Sequence, residues 1–223
     1  MAKSHCLIVL SAASQGVDAF SFIQSFKVLH PVFNIQLTSP NGKAPEFISS
    51  DETSQRWLNE FRGRPYSSPV RIDSVDASRY SALLIPDGRG ALYDLVHNTH
   101  LQSIVNHFIK TNKSICAIGS GVAALCSAPL TKSIPWNFEG FSITATPIVE
   151  LAKKPGYGSL PIIIEDFVKQ NGGVYSASEP HAVHVIIDRF LITGQNEAST
   201  VTAVQNLILL CNLRQSRSSS TNR

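Results

Sequence analysis

The chain has 223 residues, 43% of them apolar and 16% charged, which excludes a disordered polymer and suits one large α/β domain. Lys and Arg number 19 against 16 Asp and Glu, a net charge of +3. Arg214, Arg217 and Arg223 at the C-terminal end account for that whole excess, so the rest is neutral and gives no support to a nucleic-acid-binding face.

The first predicted element is a buried strand over Cys6 to Leu10. With Lys3 before it and Ala12-Ala13 after it, this segment mimics a short signal peptide, but its apolar stretch is at the lower limit for one. Val17 to Leu29 has near-helical apolar spacing, and Phe33 to Leu37 alternates as a strand. Thr53 to Arg62 reads as a helix with Trp57, Leu58 and Phe61 on one face. Ser81 to Ile85 is a further buried strand, ending in the turn Pro86-Asp87-Gly88-Arg89-Gly90. Thr99 can cap a helix whose apolar face is Leu101, Ile104, Val105, Phe108 and Ile109.

Ser114 to Ile118 reads as a strand that Gly119-Ser120-Gly121 turns into a buried helix, Val122 to Ser127. The uncharged run from Ser114 to Thr131 is interrupted by these glycines and by Pro129, so it is not a membrane span. Leu160 to Lys169 reads as helical, and His184 to Ile187 can pair with Phe190 to Thr193 as a hairpin. Asn196 is placed to cap a last helix through Val201, Val204, Leu207, Ile208 and Cys211. Strands alternating with helices predict a mostly parallel sheet covered on both faces, as one domain over residues 1–213. From Arg214 the chain is Ser- and Arg-rich and lacks apolar residues, which predicts a disordered tail over residues 214–223. Cys6, Cys116, Cys126 and Cys211 form no Cys-x-x-Cys pair and read as buried free thiols of a reducing compartment. His181 and His184 have no Cys or carboxylate pair at ligand spacing, so no metal or cofactor is expected.

Sites in doubly wound folds form at the carboxyl ends of strands. Three such ends stand out: Gly16 and Asp18, then Asp87-Gly88-Arg89-Gly90, then Gly119-Ser120-Gly121. The last has the pattern of a nucleophile elbow, whose apex residue is exposed beside backbone N–H groups, and the Gly88–Gly90 turn can complete an oxyanion hole.

Ser114-Ile115-Cys116-Ala117-Ile118-Gly119-Ser120-Gly121, Ala82-Leu83-Leu84-Ile85-Pro86-Asp87-Gly88-Arg89-Gly90 and Leu191-Ile192-Thr193-Gly194-Gln195-Asn196 together resemble the PfpI-type class I glutamine-amidotransferase-like superfamily. The resemblance runs from about Cys6 to Leu213 and implies a flavodoxin-like three-layer sandwich. Active members carry an elbow cysteine, a histidine partner and an acid after the first strand. Carried over, these positions fall on Gly119, near Thr146 and on Asp18, so the resemblance implies a vestigial site without thiol or base, a pseudoenzyme. It further implies a homo-oligomeric scaffold, dimeric or tetrameric. That scaffold would be a subunit of the FERRY assembly, a cytoplasmic Rab-GTPase effector on early endosomes linked to mRNA, with RNA contact mainly through other subunits.

Glycine has no side chain to attack a carbonyl. Cys116 lies within the strand, where an apolar setting raises a thiol's pKa. Ser120 is therefore the nucleophile of the alternative reading, a hydrolase or amidase that borrows His181 or His184 as base; the competing role for Ser120 is a small turn residue. Asp18 either caps the first helix or bonds into the vacated pocket. Gly119→Ala is expected to be tolerated unless the apex needs a positive φ.

Overall fold

Side chains alternate across a strand, so a strand that is apolar at every position must be covered twice. In His5–Val9 (β1) the four residues after His5 meet this condition: Cys6 and Ile8 enter one core, Leu7 and Val9 the other. The computed structural model describes residues 3–49, 51–127 and 135–221. Six further strands join β1: Asn34–Ser39 (β2), Val70–Arg71 (β3), Ala82–Ile85 (β4), Ser114–Ile118 (β5), Val185–Asp188 (β6) and Leu191–Gly194 (β7). They form one sheet in the order β6-β7-β5-β4-β1-β2-β3, parallel except for the β6–β7 hairpin. Cys6 pairs with Ala82 and Ala82 with Ser114, so the carboxyl ends of β1, β4 and β5 lie side by side.

Ala19–Leu29 (α1), Glu52–Arg62 (α2) and Thr200–Thr221 (α5) cover one face, where Phe22, Phe26, Phe61, Val204 and Leu207 pack on Ile8, Leu84 and Cys116. Thr99–Lys110 (α3) and Ile164–Gln170 (α4) cover the other, with Leu101, Phe108 and Val168 against Leu83, Ile85 and Ile115. The sandwich expected from the strand–helix alternation is therefore present. All four cysteines are buried and free.

Several details differ from the sequence reading. Asn98, not Thr99, caps α3, because its Oδ1 accepts from Leu101 N at 3.0 Å. The segment after β5 is a 3₁₀ helix, Gly119–Leu125, rather than an α-helix. The last helix runs to Thr221, past the Arg214 boundary at which composition predicts disorder. No glycine or proline stands between residues 200 and 221 to stop it. Positions 128–131 of the uncharged run and 222–223 of the tail lie outside the described residues. Among the described residues no helix is long and apolar enough to cross a membrane.

Candidate functional site

Chain order reverses at β1: β2 and β3 extend the sheet to one side, β4 and β5 to the other. Open α/β sheets form their crevice at such a switch point. A cavity of about 220 Å³ lies there, lined among others by Asp18, Asp87, Arg89, Ser120, Lys154 and Glu197.

Asp18 reaches the cavity because residues Val17–Asp18 leave β1 through a short parallel bridge to Phe47–Ile48. Its Oδ1 accepts from Ser21 N at 2.7 Å, which caps α1. Of the two roles left open for Asp18, the cap is the one its hydrogen bond makes, and the residue also lines the cavity. Burial raises its pKa, the nearby Glu197 charge adds to the rise, and the Ser21 amide and Lys154 oppose it.

At the elbow, Gly119 has φ +54, a left-handed conformation suited to glycine. A Cβ built on it overlaps the whole carboxyl group of Asp87. The space in front of the apex therefore belongs to Asp87. Asp87 Oδ1 accepts from Ser120 N and Gly88 N, each at 2.7 Å. Burial pushes the Asp87 pKa up to about 7, helped by the charge of Asp18 and opposed by Lys154 and the Ser120 amide.

The glycine turn divides its work. Gly88 N faces the elbow, whereas Gly90 N donates to Gly16 O at 2.9 Å and Arg89 Nη1 to Pro155 O at 2.7 Å. Of the two glycines expected in the oxyanion turn, Gly88 directs its amide to the elbow and Gly90 does not, while the Arg89 side chain ties the turn to a neighbouring loop.

Neither histidine lines the cavity that Ser120 lines. His184 sits between Ser178 Oγ, 2.8 Å from Nδ1, and Ser176 Oγ, 3.2 Å from Nε2. His181 N donates to Glu150 Oε1 at 2.9 Å, and neither histidine lines the cavity. The Ser120–His pairing of the alternative reading gains no support from this placement, since two serines engage the His184 ring and neither histidine shares the cavity with Ser120. Thr146 is buried, its Oγ1 finds no partner, and it does not line the cavity. Cys116 is fully buried and burial pushes its thiol far up. Among the described residues no cluster of His, Cys, Asp and Glu is placed to hold a metal ion.

Sequence reasoning missed Lys154 and Glu197 as cavity residues, and it placed Asp87 at a strand end without giving its carboxyl group a role. A Pro-Asp-Gly turn directly after a buried strand was a usable signal for Asp87. Lys154 and Glu197 arrive from distant loops and carried none. Glu150 was also missed: its Oε1 collects Gln195 Nε2 at 2.8 Å and Asn196 Nδ2 at 3.0 Å, and so fixes the loop after β7.

The sequence profile of the DJ-1/PfpI family matches residues 7–200. Glutamine amidotransferase-like class 1 domain-containing protein 1 of Danio rerio is 51% identical over 212 residues, covering 95% of this chain and 99% of that protein. The Xenopus laevis protein of the same name is 50% identical over 215 residues, covering 96% and 93%. Among solved structures, glyoxalase III from Candida albicans matches with a TM-score of 0.77 at 19% identity, over 92% of this chain and 96% of that one.

Proposed function

The chain belongs to the DJ-1/PfpI family, and we propose that within it the chain is a catalytically silent scaffold subunit. One observation carries this reading: the elbow apex is Gly119, and a carboxylate occupies the space into which an apex side chain would project. Covalent catalysis needs a nucleophile there with a base in reach. In its ionised form the Asp87 carboxyl group would also repel the negative charge that develops in acyl transfer. The engagement of His184 by Ser176 and Ser178 speaks against the alternative hydrolase built on Ser120.

The scaffold role follows the resemblance in the sequence. In this proposal the chain is a homo-oligomer, dimeric or tetrameric, within the FERRY Rab-effector complex on early endosomes, and takes part in mRNA transport through other subunits. The neutral domain supports an indirect RNA link, since the basic excess is confined to Arg214, Arg217 and Arg223.

Three measurements test the proposal. Affinity purification from cells should recover the other complex subunits, and light scattering at micromolar concentration should give a dimer or tetramer; a monomer without those partners would overturn the scaffold role. Purified Ser120→Ala should match the wild type in any ester hydrolysis. Loss of a saturable turnover in that variant would restore the hydrolase.

A further inference from the structure

Two backbone N–H groups aimed at one point form an anion site. At this elbow one belongs to Ser120, the residue after the apex, and the other to Gly88, in the turn that closes β4. That pair has the make-up of an oxyanion hole. Both donate to the same oxygen, Asp87 Oδ1, at 2.7 Å. The hole is therefore intact and filled from within the chain.

The filling group is firmly placed. Asp87 N donates to Ser21 Oγ at 3.0 Å, and Asp87 O accepts from Asp18 N at 2.9 Å. Thr200 Oγ1 donates in turn to Ser21 Oγ at 3.0 Å. The residue is only 6% exposed, so its carboxylate has given up water for these amides. Glycine at position 119 leaves the room that the carboxyl group takes.

We propose that the elbow keeps a working carboxylate-binding hole and that Asp87 is its resident ligand, an autoinhibitory contact that closes the hole to acyl and carboxylate groups from outside. A ligand carried on the same chain acts at a high effective concentration, so free carboxylates do not displace it. The proposal rests on the silent-elbow reading and adds what occupies the hole.

The test is chemical rescue of Asp87→Ala by sodium formate, with sodium chloride at equal ionic strength as control. Formate should raise the unfolding temperature of the variant saturably, on the order of 3 °C more than chloride. The wild type should show no formate-specific rise, nor should Asp87→Asn, whose amide oxygen keeps the acceptor in place. A formate effect of equal size in the wild type, or none in a folded Asp87→Ala, would overturn the proposal. If Asp87→Ala does not fold, the wild type decides by NMR. The amide protons of Gly88 and Ser120 should lie downfield and shift together along one titration curve, since both report one carboxyl group. Amides that titrate independently, or not at all, would refute a shared ligand. Ester turnover by Asp87→Ala would instead overturn the silent-elbow reading, whereas formate binding without turnover supports both.

Discussion

Replacing Gly119 by alanine places two separate demands on one new atom. The backbone there is left-handed, φ +54, which costs an L side chain about 1–2 kcal/mol. The Cβ also overlaps the Asp87 carboxyl group, so the carboxylate must move away from the Gly88 and Ser120 amides it now accepts from. Leaving a buried polar group unpaired costs about 1–3 kcal/mol for each of the two amides. Together the substitution should destabilise by about 3–8 kcal/mol, against a total stability of roughly 5–15 kcal/mol for a typical domain. In an Asp87→Gly background the carboxyl group is gone, and the same substitution should cost only the backbone part. Urea unfolding of the wild type, both single variants and the double variant gives the coupling directly. The expected value is about 2–6 kcal/mol, the part that belongs to the two amides. A coupling under about 0.5 kcal/mol, the scatter of independent sites, would refute the assignment of the apex space to Asp87. The tolerance expected for Gly119→Ala from the sequence held only without a positive φ, and the structure supplies that positive φ.

Two further predictions concern the same carboxylates. Burial and the Asp18 charge raise Asp87 from an ordinary 3.8 to about 7 in the folded state. The folded protein therefore keeps a proton that the unfolded chain releases, and stability from this group is full below about pH 4 and is lost as pH rises towards 7. At about 1.36 kcal/mol for each unit, the loss is ~4 kcal/mol. Asp87→Asn cannot lose a proton, so its stability relative to the wild type should grow between about pH 4 and 7 and level off above; a pH-independent difference in urea unfolding would contradict this. For Asp18, the alanine variant should lose about 1 kcal/mol of helix capping that the asparagine variant retains. Equal unfolding midpoints for Asp18→Ala and Asp18→Asn would show that the cap at Ser21 contributes nothing.

Legibility in the sequence is uneven along the chain. Cys6 to Leu10, Ser81 to Ile85 and Ser114 to Ile118 were legible as strands because each is apolar on both faces, a demand that only a doubly covered sheet imposes. The elbow was legible for a similar reason, since a strand followed by Gly-Ser-Gly has few backbone solutions. The missing side chain at Gly119 was likewise visible. These are local properties, fixed by residues adjacent in the chain.

What surrounds the elbow is a different matter. Asp18, Asp87, Lys154 and Glu197 come from four separate loops, and only the sheet order brings them to one cavity. Both histidines looked available as bases, yet hydrogen bonds to Ser176 and Ser178 hold His184 elsewhere. Spacing along the chain carries no information about such long-range pairings. The sequence determined that position 119 carries no side chain. Only the tertiary structure decided that a buried carboxylate fills its place, because burial and the convergence of two amides on one oxygen exist only once β4 and β5 lie side by side.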